Sequence, residues 1–199
     1  MKEKFLNSSI NFINSNGKYS EQDIKKLRYG LEGIYLTITK MIFIILLALI
    51  LGILKEVIIV IVLFNFLRYF GFGFHAEKSY QCLILSTIWF VILPFILLKF
   101  TISTNIFLFV SALCIFNILL FAPADTIKRP LRNKKKRIIR KILNLLLASI
   151  FVILGIIFNN SYIYSLILAS LIIEVIVIAP TTYRLFKQPY NNYKNCDYK

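Results

Sequence analysis

The chain holds a single histidine, His75, and a cysteine, Cys82, seven residues after it. An imidazole can take the proton of a thiol, the thiolate can attack a peptide carbonyl, and the imidazolium can protonate the leaving amine. The pair is therefore a candidate nucleophile with its acid–base partner. On one continuous helix the two would share a face yet lie about 10.5 Å apart along the axis, too far for a hydrogen bond of roughly 3 Å. A working pair requires the chain to bend between them. The stretch Arg68-Tyr69-Phe70-Gly71-Phe72-Gly73-Phe74-His75-Ala76-Glu77-Lys78-Ser79-Tyr80-Gln81-Cys82 offers that bend. Gly71 and Gly73 predict an irregular turn carrying His75, and Cys82 falls at the start of the next helix, where the helix N-terminus favours negative charge. Ser79 is a candidate cap. The alternative is plain structure: an interfacial histidine that caps a helix, and a cysteine acting as a small apolar residue.

Other chemistry is thinly represented. Cys114 and Cys196 bring the cysteines to three, far apart and odd in number, which suggests neither a disulfide framework nor a zinc site. One histidine cannot supply a two-histidine zinc motif, so neither a metal nor a cofactor is expected. Asp125 and Glu77 are the nearest acidic candidates to orient His75, and the sequence singles out neither. Glu174 lies inside an apolar run, where an ionisable group is costly and a polar packing partner is expected. Cys114, midway along another run, reads as a core residue.

The elements that position these residues are membrane helices. Of 199 residues 58% are hydrophobic, and the mean hydropathy is +0.74. Yet 24 Lys and Arg stand against 9 Asp and Glu, a net charge of +15. Apolar runs fall at about 37–54, 57–67, 82–98, 102–123, 141–158 and 162–180, with basic residues crowding the links. The expected fold is an all-α integral membrane protein, a single domain with a bundle of about six transmembrane helices over 37–180. An amphipathic segment precedes it within 1–36 and a tail follows at 181–199. Residues 20–36 place Ile24, Leu27, Leu31 and Ile34 at helical spacing, capped by Ser20 and Asp23. That helix lies on the membrane interface or packs against the bundle. Pro94 predicts a kink. In a six-span topology 22 of the 24 basic residues fall in alternate segments. The positive-inside rule then puts both termini, the 68–81 link and the 128–141 link in the cytoplasm. Basic links beside spans are explained by orientation and anionic lipid, so nucleic acid is not an expected partner.

The stretch from Arg68 to Cys82 resembles the signature of the AgrB family, an arginine, then a Gly-Gly-aromatic-His-Ala run, then a cysteine seven residues after the histidine. Gly73-Phe74-His75-Ala76 and Cys82 match it. Phe72 stands where the family more often has its first glycine, with Gly71 next door to supply the freedom. Tyr29-Gly30-Leu31-Glu32 resembles the family's amphipathic segment. Ala122-Pro123-Ala124-Asp125-Thr126, with Pro130 and the basic run after it, resembles its Ala-Pro-x-Asp link. The resemblance covers most of the chain in the same order.

The resemblance implies a membrane-embedded cysteine endopeptidase of a bacterial cell membrane that matures cyclic quorum-sensing peptides. Cys82 would cleave the C-terminal part from an AgrD-type propeptide and retain the N-terminal product as a thioester, with His75 as acid and base. Attack by an internal Cys or Ser of the propeptide would close a thiolactone or lactone ring. Substrate-binding candidates are Arg68, Gly73, Lys134, Lys135, Lys136 and Arg137, the last four as a patch steering an acidic peptide tail. Lipid phosphate is the alternative partner for Arg68 and the basic patch. A homodimer is the oligomeric expectation. The rival from another class is a small transporter or permease component, possibly for a peptide, although no inverted repeat and no P-loop appears.

Overall fold

A computed structural model of the protein describes residues 2–15, 20–76, 78–126 and 130–194. Glu77 and Cys196 lie outside them. The described residues form helices α1 (Lys2–Ser15), α2 (Glu21–Ile50), α3 (Leu54–Gly71), α4 (Ser79–Leu97), α5 (Thr104–Phe121), α6 (Lys134–Phe158), α7 (Ser161–Ile178) and α8 (Pro180–Leu185). Five of these, α2, α4, α5, α6 and α7, are long and apolar enough to cross a membrane. The sixth long apolar helix, α3, has 18 residues, with Lys55 and Glu56 in its first turn and Arg68 in its last. Its charges thus sit at the ends, where side chains can reach the interface.

The chain divides into two compact units, Met1–Leu47 and Ala48–Lys199. In the first, α1 lies along the start of α2. Lys2 Nζ meets Glu32 Oε1 at 2.7 Å, Arg28 Nη2 meets Glu3 Oε2 at 2.6 Å, and the Phe5 and Tyr35 rings are 5.4 Å apart. The Ser20 hydroxyl accepts from the Asp23 N–H at 3.2 Å, the cap predicted at the start of the amphipathic stretch. That stretch does not end near residue 36. It runs unbroken into the first apolar run as one 30-residue helix, because no proline falls between them and neither Gly30 nor Gly33 takes a positive φ.

The second unit is built around α7. Two-thirds of its spanning window is buried, 67% against 28% or less in the other four spans. It is apolar on every face, so α3, α4, α5 and α6 can surround it. Its Ala169, Leu171, Ile173 and Val177 are wholly inaccessible. The surrounding helices bury one stripe and turn the rest outward; on α5, Phe107, Ser111, Cys114 and Ile118 face in while Ile106, Phe109, Leu113 and Phe116 face out. Cys114 is thus a core residue, as expected. Where α6 crosses α5, a Cβ on Gly155 would come within 2.5 Å of the Phe107 ring, which is stacked on Tyr164 at 4.1 Å. Small residues at such crossings let helices approach closely.

The irregularity predicted at Pro94 takes the form of a π-turn over Ile88–Ile92, closed by Leu93 N–H donating to Ile88 O. Widening the turn just before the proline relieves the ring's clash with the preceding carbonyls. At one end of this unit lie Gly52 and Ile53, residues 98–103, and Asn159 and Asn160. There Ile102 N–H donates to Ser161 Oγ at 2.8 Å and the Tyr162 hydroxyl donates to Glu56 Oε1 at 2.9 Å. At the other end lie 72–76, 122–126, 130–133 and 179–193. Residues 181–193, expected as part of a tail, pack onto the bundle, because α8 and the turn after it dock through Tyr183, Phe186, Tyr190 and Asn192.

Candidate functional site

The turn that carries His75 begins where α3 runs out. Phe72 N–H closes the last helical turn on Arg68 O at 2.9 Å, and the chain reverses through Phe72 at φ 60°, ψ −120° and Gly73 at φ +102°. Gly71, expected to supply this freedom, does not take a positive φ. Phe72 takes the left-handed φ itself, at a site that favours glycine. Gly71 supplies space: a Cβ there would sit 1.8 Å from Glu174 Oε1 and 2.4 Å from Asn144 Nδ2. Gly73 is constrained both ways, since its Cβ would also meet Val177 Cγ1 at 2.5 Å and Val177 O at 2.9 Å.

Successive backbone groups of the turn are fastened to other elements. Ala124 N–H donates to Gly71 O at 2.9 Å and Gly73 N–H to Ala124 O at 2.7 Å, a short parallel bridge onto the Ala122–Asp125 segment. Phe74 N–H donates to Val177 O, at the C-terminal end of α7, at 2.8 Å. Arg68 Nη2 donates to Phe74 O at 2.7 Å, and Gln188 Nε2 donates to His75 O at 3.2 Å. The Phe74 ring is buried against Tyr183 and Phe186, at centroid distances of 6.1 and 4.5 Å. His75 itself is exposed. Its Nδ1 lies 2.9 Å from Ala76 O. A carbonyl only accepts, so Nδ1 carries the hydrogen in that contact, and in the neutral ring Nε2 is the nitrogen with the lone pair.

Cys82 is half-buried in the first turn of α4, with its N–H donating to Lys78 O at 3.1 Å. Arg68 lies within electrostatic range of the Cys82 thiol, and also of Glu174 and Tyr183. His75 lies in the turn after α3 and Cys82 in the helix that follows, so the two are not on one continuous helix. Arg68 and Gly73, both candidates from sequence, belong to this turn. Of the basic patch, Lys134, Lys135 and Lys136 are exposed at the start of α6. Arg137 donates to Leu131 O at 3.3 Å and lies 3.6 Å over the Tyr193 ring. Lys134, Arg137 and Lys141 line an open groove of about 450 Å³ with Phe121, Tyr190 and Tyr193.

Asp125, considered for orienting His75, is 1% exposed and otherwise engaged. Its Oδ1 accepts from Asn192 N–H at 2.9 Å, and its Oδ2 accepts from Tyr193 N–H at 2.8 Å and Leu131 N–H at 3.2 Å. Its backbone carbonyl accepts from the Tyr183 hydroxyl at 3.1 Å. Burial pushes the Tyr183 phenol above the ordinary tyrosine range and that of Tyr190 to about 12, so both remain protonated donors. Glu174 has the polar partner expected of it: Asn144 Nδ2 donates to its Oε1 at 3.2 Å, and both side chains are wholly buried. Among the described residues Glu174 Oε2 and Asn144 Oδ1 have no hydrogen-bond partner.

Sequence reasoning passed over three contributors. Arg140 donates to Tyr69 O at 2.8 Å and lies 4.4 Å over the Phe72 ring, tying α6 to the end of α3. Asn144, a polar residue inside the apolar run 141–158, was the visible signal of a buried partner for Glu174. Gln188 gave no signal, since a lone glutamine in a polar stretch is ordinary.

Taken together, the long apolar helices make this a multi-pass helical membrane protein with a histidine turn and a half-buried cysteine at one end of the bundle. The sequence model of one family, accessory gene regulator B, matches residues 6–178. An AgrB-like protein of Listeria innocua is 33% identical over 179 residues, 89% of this chain and 87% of that protein. One of Clostridium acetobutylicum is 32% identical over 183 residues, 91% and 87% of the two chains. Accessory gene regulator protein B of Staphylococcus intermedius is 31% identical over 154 residues, 76% and 82%. The chain belongs to the accessory gene regulator B family. No solved structure matches it.

Proposed function

We propose that the protein is a cysteine endopeptidase and cyclase of the agr quorum-sensing system, acting on an AgrD-type propeptide at the cytoplasmic face of a bacterial cell membrane. The reading rests above all on the turn between α3 and α4, which carries His75 with Arg68 donating to the carbonyl before it and Cys82 in the first turn of the next helix. His75 Nε2 takes the Cys82 proton, and Sγ attacks the scissile carbonyl. When the C–N bond breaks, the imidazolium gives that proton to the leaving amine. The N-terminal product stays on Sγ as a thioester. A Cys or Ser of the same peptide attacks this carbonyl, its proton passes to the Cys82 sulfur, and a thiolactone or lactone ring leaves. Exclusion of water by the half-buried site limits hydrolysis of the thioester. Lys134, Lys135, Lys136 and Arg137 steer an acidic peptide tail toward the turn. The basic residues at the site end of the bundle, against Lys55 and Lys99 at the other among the described residues, support the cytoplasmic orientation.

The test is co-expression with a small acidic-tailed precursor of AgrD type, followed by mass spectrometry of that precursor. Wild type is expected to release a C-terminal fragment, and Cys82→Ala and His75→Ala to release none. Cleavage that survives both substitutions would overturn the assignment in favour of a peptide transporter.

A further inference from the structure

The family match ends at residue 178, yet the chain beyond it reaches the His75 turn. Its path is set in three places. Tyr183 and Phe186 pack on the Phe74 ring, so α8 is fixed under the turn. Lys187, at φ 53°, then ends α8: Lys187 N–H donates to Arg184 O at 3.0 Å and Gln188 N–H to Tyr183 O at 2.8 Å, the paired bonds of a left-handed helix stop. That stop turns the chain so that Gln188 Nε2 reaches His75 O at 3.2 Å. Beyond it, the Asp125 carboxylate holds the Asn192 and Tyr193 N–H groups, and Tyr190 donates to Phe121 O at 3.2 Å, so the segment is anchored on both sides of Gln188.

Resting on the proposed function, we infer that the segment 180–193 is part of the catalytic apparatus, with Gln188 as the positioning residue that fixes His75. An exposed histidine on a turn is aimed by its backbone, and the two carbonyls that define that backbone, Phe74 O and His75 O, each accept a side-chain donor from a different element, Arg68 and Gln188. Arg68 fixes the peptide entering His75; Gln188 fixes the one leaving it. With Gln188 Nε2 removed, the leaving peptide loses the side-chain donor on its carbonyl. The imidazole then samples directions other than the one that serves the Cys82 thiol, and misplacement of a reacting group by about 1 Å can lower rate by about 100-fold.

The test compares steady-state cleavage of the acidic-tailed precursor by the full chain in lipid vesicles for wild type, Gln188→Ala, Gln188→Glu and Gln188→Lys, with Cys82→Ala as the blank. Loss of the donor in Gln188→Ala is expected to lower kcat about tenfold with KM unchanged, since the interaction serves the chemical step and not substrate binding. Gln188→Glu, which sets an acceptor against a carbonyl, should lower it further. Gln188→Lys, which restores a donor, should recover most of the loss. Trypsin cleavage after Arg184 and Lys187 should be equally slow in all four, which separates lost aim from a lost segment. Wild-type kcat in Gln188→Ala, a loss carried by KM, or a Gln188→Lys variant no better than Gln188→Ala would each overturn the inference while leaving the enzyme reading intact. Cleavage by the Cys82→Ala blank would overturn both.

Discussion

The two ends of the Ala48–Lys199 unit join the same helices in different ways. At the far end the links are short, as at Leu51–Ile53 and Asn159–Asn160, and their polar groups serve local needs: Asn160 caps α7 and Ser103 caps α5. At the site end three separate connections interlock. Residues 72–74 bond to 124 and 177, and Asp125 bonds to 131, 192 and 193. Single side-chain bonds, Ile102 to Ser161 and Tyr162 to Glu56, tie these turns to one another. The site end bonds its connections to one another through backbone and carboxylate, so a change in one is expected to be felt in the others.

Glycine substitutions give the sharpest contrast. Gly52 at the far end and Gly73 at the site end both take positive φ, +70° and +102°. Nothing lies within 4 Å of a Cβ on Gly52, whereas one on Gly73 meets Val177 side chain and backbone at 2.5 and 2.9 Å. Gly52→Ala is expected to lose about 1–2 kcal/mol, the backbone penalty alone, with cleavage intact. Gly73→Ala is expected to lose about 3 kcal/mol or more and all cleavage. Thermal unfolding in detergent beside the precursor assay checks both, and an active Gly73→Ala protein would dissolve the contrast.

Next in size are the side chains that accept backbone N–H groups. Asp125 takes three, from Leu131, Asn192 and Tyr193, while Ser161 at the far end takes one, from Ile102. Asp125→Ala strands three buried or half-buried donors and should lose roughly 3 kcal/mol, and Ser161→Ala about 1 kcal/mol. The sharper readout is local. Asp125→Ala should expose Arg184 and Lys187 to trypsin and reduce cleavage, and Ser161→Ala should do neither. Equal trypsin resistance would mean that the carboxylate does not hold the segment.

Much of this was legible in the sequence, for identifiable reasons. Long apolar runs broken by basic links can only be spans and their connectors, and the glycines before a lone histidine mark a turn whatever surrounds it. The basic residues give the two ends different signs of use, which anticipated which connections come together. The order in 181–193 was not legible, because its docking depends on an aspartate 67 residues upstream of Asn192 and on the Phe74 ring of a distant turn. Such a pairing has no period to read. Helix α1 was missed for a related reason: with Lys2 and Glu3 paired to Glu32 and Arg28, it is held by partners remote in sequence. The length of α2 was misread because a change from amphipathic to apolar composition is not a change in backbone conformation.

Phe72 is where the comparison predicts the smallest effect and the most informative sign. It holds φ 60°, ψ −120° at the site end, a conformation that suits glycine and strains any residue with a Cβ. The ring sits 4.4 Å under the Arg140 guanidinium, a contact worth about 0.5–1 kcal/mol. Replacing Phe72 directly by glycine mixes the lost ring with the relieved strain, so the informative comparison is between Phe72→Ala and Phe72→Gly, neither of which has the ring. At an ordinary position glycine is the less stable of such a pair by roughly 0.5–1 kcal/mol. Here Phe72→Gly should be the more stable by about 1 kcal/mol, with the turn and cleavage retained in both. The ordinary order, alanine above glycine in thermal unfolding, would mean that the reversal after α3 is not carried by Phe72, and that Gly71 supplies the freedom the sequence first suggested.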